Sequence, residues 1–312
     1  MKSKIILVNL ISVFLIYVFA EFIIYNYVIL KAYMLNSRVW PLKQYMLVCN
    51  KKYLDNKYTN FDKFYDTRIE FRPVSEGNSN RKPLLVFGCS FAYGASLLPE
   101  QTFTHKLSEI TQRTVYNRAY SGWSVQNMLY QLRRNDFYNQ IKEPEYIIYV
   151  YLNSHIQRIH SEVWMTDNQV FYKKTPRGLE ENKFFSAANP FYNYIIKGVH
   201  WLYCKNVFAE NSAEKKLFQQ SPSFLNLHFI ESKKEAEKHW KDTKFVVLVY
   251  SEMGCEDWKA LEKEGIKVVK VKDLTSENLD ELKYKISETD AHPSELAWDV
   301  ITPSLIKLLN IK

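Results

Sequence analysis

Two short stretches of the chain carry residue types from which a nucleophilic reaction can be assembled. The first is Gly88-Cys89-Ser90-Phe91-Ala92-Tyr93-Gly94. It follows the apolar run Pro83–Phe87, and a serine at the carboxyl end of a parallel strand can present its hydroxyl to a ligand. It is not a phosphate loop, because no Gly-Lys-Ser/Thr follows. It is not a G-x-S-x-G elbow, because Ala92 fills the second glycine position. The second stretch is Asp290-Ala291-His292-Pro293. Pro293 suits the first position of a helix, which leaves His292 in the loop before it and Asp290 free to orient its ring. Serine, histidine and carboxylate are the nucleophile, base and orienter of acyl transfer. Taken separately, each stretch also has a plain structural meaning: a Ser/Gly turn, and a loop histidine beside a helix cap.

The surrounding pattern is an alternation of strands and helices. Strands are expected at Pro83–Phe87, Thr114–Arg118, Tyr146–Tyr151, Phe245–Tyr250 and Ile266–Val271, most of them apolar runs. Helices are expected at Gln101–Arg113, Ser124–Asp136 with Ser124 as cap, Glu256–Glu264, and Glu295–Leu309 interrupted by Pro303. Continuous apolar strands between helices predict an α/β fold of three layers, α/β/α, around a five-stranded parallel sheet covered on both faces. Residues 157–228 break the pattern. They are rich in aromatics (Trp164, Phe171, Phe184, Phe185) and read as an insertion over the sheet edge, either a substrate wall or ordinary packing. Leu225–Trp240 reads as a charged amphipathic helix with a solvated face.

The N-terminus is of another kind. Ile5–Ile24 is apolar but for Asn9, Ser12 and Glu21, and twenty helical residues span the bilayer core. We expect residues 1–30 to form a transmembrane signal anchor and 31–82 a juxtamembrane connector lying on the body. Residues 83–312 are expected to form the folded domain. A cleaved signal peptide ending near Ala20 and a buried core helix, which rarely stays apolar on every face for this length, are the competing readings. Lys2 and Lys4 favour an N-terminus inside and a body outside the cytoplasm, periplasmic or extracellular.

Composition narrows the field. Hydrophobic residues make up 46% and charged residues 24% of the 312, which excludes wholesale disorder. The net charge of +8 is uneven: residues 1–82 hold 13 Lys and Arg against 6 Asp and Glu, leaving the remainder near neutral. A nucleic-acid partner would call for basic charge on the folded body, so none is expected. The four cysteines, 49, 89, 204 and 255, have no metal or disulfide spacing, and no metal or cofactor is expected. Only eight glycines occur, and three of them are Gly88, Gly94 and Gly122.

With these blocks in order, the chain resembles the SGNH, or GDSL-type, hydrolases from about Leu84 to Leu309. The GDS-like block matches Gly88–Gly94, and the resemblance implies Ser90 as nucleophile. The N-x-x-x-x-G block matches Asn117–Gly122 and implies the Gly122 amide as an oxyanion donor, beside the amide of Ser90. The G-x-N-D block falls on Tyr151-Leu152-Asn153-Ser154 and implies the Asn153 side chain as the third donor. His155 and Arg158 follow it as substitutes. The D-x-x-H-P block falls on Asp290–Pro293 and implies His292 as base and Asp290 as orienter. Glu100-Gln101-Thr102-Phe103 is similar to a stretch found in membrane-anchored members.

There are departures. Cys89 stands in place of the usual Asp, the third block lacks its Gly and Asp, and Asp290-x-His292 is one residue short. The resemblance implies a flavodoxin-like sheet. It also implies a serine esterase acting on O-acyl, chiefly O-acetyl, groups of envelope or extracellular carbohydrate, or on a lipid. Transfer of the acyl group to a glycan, or a silent binding module, are the alternatives on the same fold.

Overall fold

The structure is a computed structural model. It describes residues 70–77, 80–159, 170, 172–181 and 213–311, with 157 and 213–221 described by backbone alone. The expected membrane anchor, residues 1–30, and most of the connector lie outside the described residues. Among the described residues no helix is long and apolar enough to cross a membrane.

The chain runs β1 (Leu84–Phe87), α1 (Ser90–Tyr93), a 3-10 turn at Pro99–Gln101, α2 (Phe103–Thr111) and β2 (Val115–Asn117). It continues through α3 (Val125–Leu132), α4 (Asn135–Gln140), β3 (Tyr146–Tyr151) and α5 (Ser154–Arg158). A hairpin, β4 (Tyr172–Thr175) and β5 (Gly178–Glu181), precedes the long α6 (Ala213–Glu237). Then come β6 (Lys244–Val249), α7 (Trp258–Lys263), β7 (Lys267–Lys270), β8 (Lys285–Ser287), β9 (Asp290–Pro293) and α8 (Glu295–Leu309).

Five strands form one parallel sheet in the order β2-β1-β3-β6-β7. Numbered by appearance within the sheet this is 2-1-3-4-5, the flavodoxin-like doubly wound order, whose ligand crevice lies at the carboxyl ends of the strands where the order reverses. That point is between β1 and β3. Side chains alternate between the faces of each strand, and the core divides accordingly. Leu85, Phe87, Ile147, Tyr149 and Val247 meet α3, α6 and α7 through Met128, Phe229 and Leu261. Leu84, Val86, Ile148, Val150 and Leu248 meet α2 and α8 through Leu107, Trp298 and Leu305. The Phe103 and Trp298 rings lie 4.8 Å apart between those two helices.

Several expectations need correction. Ser124–Asp136 is two helices, α3 and α4, because Arg134 takes an extended conformation between them. The Ser124 hydroxyl donates to the His155 carbonyl at 3.0 Å, and the Asn127 side chain accepts the Ser124 N–H. Helix α8 runs through Pro303 unbroken, held on both sides of the proline by buried Trp298, Ile301, Leu305 and Leu309. The helix read as solvated from Leu225 begins at Ala213 and buries Leu225, Phe229 and Ala236 against the sheet. These lie four and seven residues apart, one stripe of a helix. Part of the 157–228 span is therefore sheet-covering helix, and another part is the β4–β5 hairpin.

Candidate active site

The turn after β1 is shaped by glycine. Gly88 has φ of +150°, and a Cβ there would stand 2.9 Å from the Ala92 Cβ and 3.0 Å from the Val150 carbonyl oxygen. Only glycine lets the turn pass so close to β3. Cys89 is buried and extended, and its carbonyl accepts the Tyr93 N–H at 2.9 Å. Ser90 opens α1, half-buried. Its hydroxyl makes no hydrogen bond to another described residue. Gly94 closes the helix in the left-handed region, φ +78°.

Asn117, at the end of β2, supports this turn. Its amide donates to the Ala92 carbonyl at 2.9 Å and to Thr104 Oγ1 at 3.3 Å, and its oxygen accepts the Ala119 N–H. It is buried. It opens the second sequence block, and its work is to fix the helical turn that carries Ser90.

His292 is not in a loop before a helix that starts at Pro293. It lies within β9, which pairs antiparallel with β8, and α8 begins at Glu295 after Ser294. On an extended strand, residues i and i+2 share a face, and this is why the short Asp290-x-His292 spacing works. Asp290 Oδ1 accepts both the ring Nδ1–H and, at 3.0 Å, the backbone N–H of His292. Asp290 Oδ2 accepts from Ser96 Oγ at 3.1 Å, and the Asp290 N–H donates to Ser287 Oγ. Partial burial pushes the Asp290 carboxyl up, but the hydrogen bonds from His292 and Ser96 outweigh it and hold the group below its ordinary value. With Nδ1 engaged, Nε2 is the nitrogen left for a reacting proton. The His292 ring lies 5.1 Å from that of Phe91, the residue after Ser90. The His292 ring and the turn that carries Ser90 are thus neighbours.

The other two expected donors follow the strands on either side of β1. Gly122 sits in the turn after β2 with φ of +83°. Asn153 follows β3, exposed, with its N–H donating to Ser251 Oγ at 3.3 Å. Its side chain makes no hydrogen bond to another described residue. The sheet order puts the strand of Ser90 between the strands of Gly122 and Asn153.

The substitutes fail. His155 is fully buried, its Nδ1 2.9 Å from the Tyr149 hydroxyl. Burial, reinforced by the charge of Arg158, pushes its pKa well below the ordinary value. Arg158 donates to the Trp123 carbonyl at 2.8 Å. Both serve the interior, where short α5 turns them.

Gln101 and Lys106 donate to Glu295 at 3.0 and 2.7 Å, and Lys106 also pairs with Asp299. The block after Gly94 thereby ties α2 to the first turns of α8, just beyond His292. Ser96 and Arg72 shape the turn after α1, and neither belongs to a sequence block. Ser96 has no motif, and its only signal is a polar residue between two glycine-bearing blocks. Among the described residues no three His, Cys, Asp or Glu side chains are grouped to hold a metal ion.

No protein-family model and no curated protein matches the chain. Among solved structures it is similar to a member of the lipolytic protein G-D-S-L family from Veillonella parvula, with 10% identity and a TM-score of 0.41 over 74% of this chain and 99% of that one. A lipase from a goat rumen metagenome has 13% identity and a TM-score of 0.42, over 73% and 97% of the two chains. An acetyl xylan esterase from Butyrivibrio proteoclasticus has 11% identity and a TM-score of 0.40, over 73% and 63%. Overlaps of this extent carry no argument about this chain, whose chemistry rests on its own residues.

Proposed function

We propose that the chain is a serine ester hydrolase. The observation that carries this reading is the Asp290–His292 pair, hydrogen-bonded through Nδ1 and set against the Phe91 ring of the Ser90 turn. In the proposed reaction His292 Nε2 takes the Ser90 proton as Oγ bonds to the ester carbonyl carbon. The amides of Ser90 and Gly122 and the Asn153 side chain receive the oxyanion, each donor being worth about 2.7–4 kcal/mol of barrier. The tetrahedral centre collapses, the C–O bond breaks, and His292 returns the proton to the leaving alcohol. Water, deprotonated by His292, then releases the acid and restores Ser90. Asp290, kept ionised, steadies the imidazolium.

The substrate we propose is an O-acylated, chiefly O-acetylated, carbohydrate, with a lipid ester as the other class. The aromatic-rich 157–228 span supports this from sequence. The apolar Ile5–Ile24 run supports a single-pass anchor with the body outside the cytoplasm.

Labelling by a fluorophosphonate, and hydrolysis of an aryl acetate, test the chemistry. Both are expected in the full chain and absent from Ser90→Ala. Labelling that survives this change refutes the nucleophile. Acetate release from an acetylated polysaccharide, run with and without an oligosaccharide acceptor, separates hydrolysis from transfer.

A further inference from the structure

Ser96 holds a backbone conformation that its side chain disfavours, with φ of +66°. Two other non-glycine residues among those described have positive φ, Gln112 and Asn310. These end α2 and α8 in the left-handed cap, a common way for helices to stop. Ser96 ends no helix, since Gly94 already closes α1. It stands third in the turn that Leu97 N–H closes onto the Gly94 carbonyl at 3.2 Å. A positive φ at that position ordinarily selects glycine or asparagine. Strained residues persist where their surroundings fix them, and they concentrate at functional sites.

The surroundings here are specific. The Arg72 guanidinium donates to the carbonyls of Tyr93 at 3.1 Å, Gly94 at 2.6 Å and Leu97 at 3.0 Å, holding the turn on both sides of Ser96. The hydroxyl so placed donates to Asp290 Oδ2, while Oδ1 of the same carboxylate serves His292. Asp290 is therefore gripped from three sides: Ser96 from the turn after α1, Ser287 from β8, and His292 from its own strand.

Resting on the reading of Asp290 and His292 as orienter and base, we propose that Ser96 is a positioning residue, whose hydroxyl fixes the carboxylate plane of Asp290 and so aims the His292 ring at Ser90. A carboxylate bonded at one oxygen can still turn about its side-chain torsions. A donor on the opposite oxygen removes that freedom. The short Asp-x-His spacing makes the second anchor more consequential, because any turn of the carboxylate is passed directly to the ring.

Ser96→Gly keeps the backbone conformation and deletes the hydroxyl. Ser96→Asn tolerates the same φ and returns a donor. In the full chain, Ser96→Gly is expected to lower kcat for an aryl acetate about tenfold with KM unchanged, and Ser96→Asn to recover most of it. In parallel, a carbon-13 titration of the Asp290 carboxyl is expected to move up in Ser96→Gly and back in Ser96→Asn. Wild-type kcat with an unmoved titration in Ser96→Gly overturns the proposal. So does a loss of kcat that leaves the titration in place and that asparagine does not recover. Should the wild-type chain show no Ser90-dependent turnover, the esterase reading fails separately. The Asp290 titration then decides alone: an upward move upholds the role of Ser96 in fixing the carboxylate, and none overturns it.

Discussion

Asp290 presents one carboxylate oxygen to two N–H groups of His292, the ring Nδ1–H and the backbone amide, from two residues away on the same short strand. The proposed orienter and base are thereby joined within one short strand. A loop carrying the same two residues would have to be held by outside contacts, whereas here the antiparallel pairing of β9 with β8 supplies the extended backbone.

Replacement of Asp290 tests that unit. Asp290→Asn keeps the shape and loses the charge, and aryl acetate kcat/KM is expected to fall about a hundredfold or more, as the imidazolium loses its counter-ion. Asp290→Glu keeps the charge but moves it one methylene away from both Ser96 and His292, and a loss is expected there too. Steady-state kinetics at neutral pH check both. Because the hydrogen bonds hold the Asp290 carboxyl below its ordinary value, this group stays ionised as pH falls into the usual carboxylate range. An Asn variant with the wild-type rate would move the orienter elsewhere.

Gly88 gives a prediction about the nucleophile turn. An alanine methyl there meets the Val150 carbonyl at 3.0 Å and the Ala92 methyl at 2.9 Å. Neither neighbour can swing aside, since one is strand backbone and the other sits within α1. Gly88→Ala is expected to cost about 1–3 kcal/mol and to displace Ser90. Urea denaturation reads the first effect, and fluorophosphonate labelling reads the second.

These two cases show what the sequence carried. The central strands β1, β3 and β6 were legible because each is a short, largely apolar run, and buried parallel strands need no alternation, while the edge strands β2 and β7, which carry Asn117 and two lysines, were legible from their place between helices. Gly88–Gly94 was legible because chain reversal beside a strand demands glycine. The Asp290–His292 hairpin was not, since Lys285–Ser287 and Asp290–Pro293 are too short and too polar to show a period of two. The inward face of α6 was hidden because lysine and glutamate pairs crowd the same residues, as with Lys233 and Glu237. Ser96 works through a contact distant in sequence, which no local pattern encodes, and the block that marks Asn117 gives no hint that its amide holds the Ser90 turn.

Glu252 predicts part of the acid stability. Its burial raises the carboxyl, but hydrogen bonds from Lys270, Lys272 and Trp258 overcome this and set it at about 2. A carboxyl depressed in the folded state contributes stability that is complete above its unfolded value near 4.5. That stability drains away as pH falls towards 2. Glu252→Gln is expected to lower the melting temperature at pH 7 and to narrow the difference from wild type near pH 2.5. Thermal melts at the two pH values measure this. Equal gaps at both would mean that the three contacts do not act through the charge.

His155 acts in a higher window. It is buried with Nδ1 facing the Tyr149 hydroxyl and the Leu152 N–H, and Nε2 has no partner among the described residues. Burial keeps it neutral in the folded chain. Below about pH 6.5 the unfolded chain takes up a proton that the folded chain refuses. Stability from this site is therefore whole above that pH and falls on acidification, by about 1.4 kcal/mol per pH unit at full slope. Asparagine at 155 offers an oxygen where Nδ1 stood and cannot titrate. His155→Asn is expected to lose stability at pH 8 through the smaller side chain, yet to show a shallower decline between pH 6.5 and 5. Urea midpoints across that range decide it: an unchanged slope would assign the acid sensitivity to other groups and remove His155 from the account.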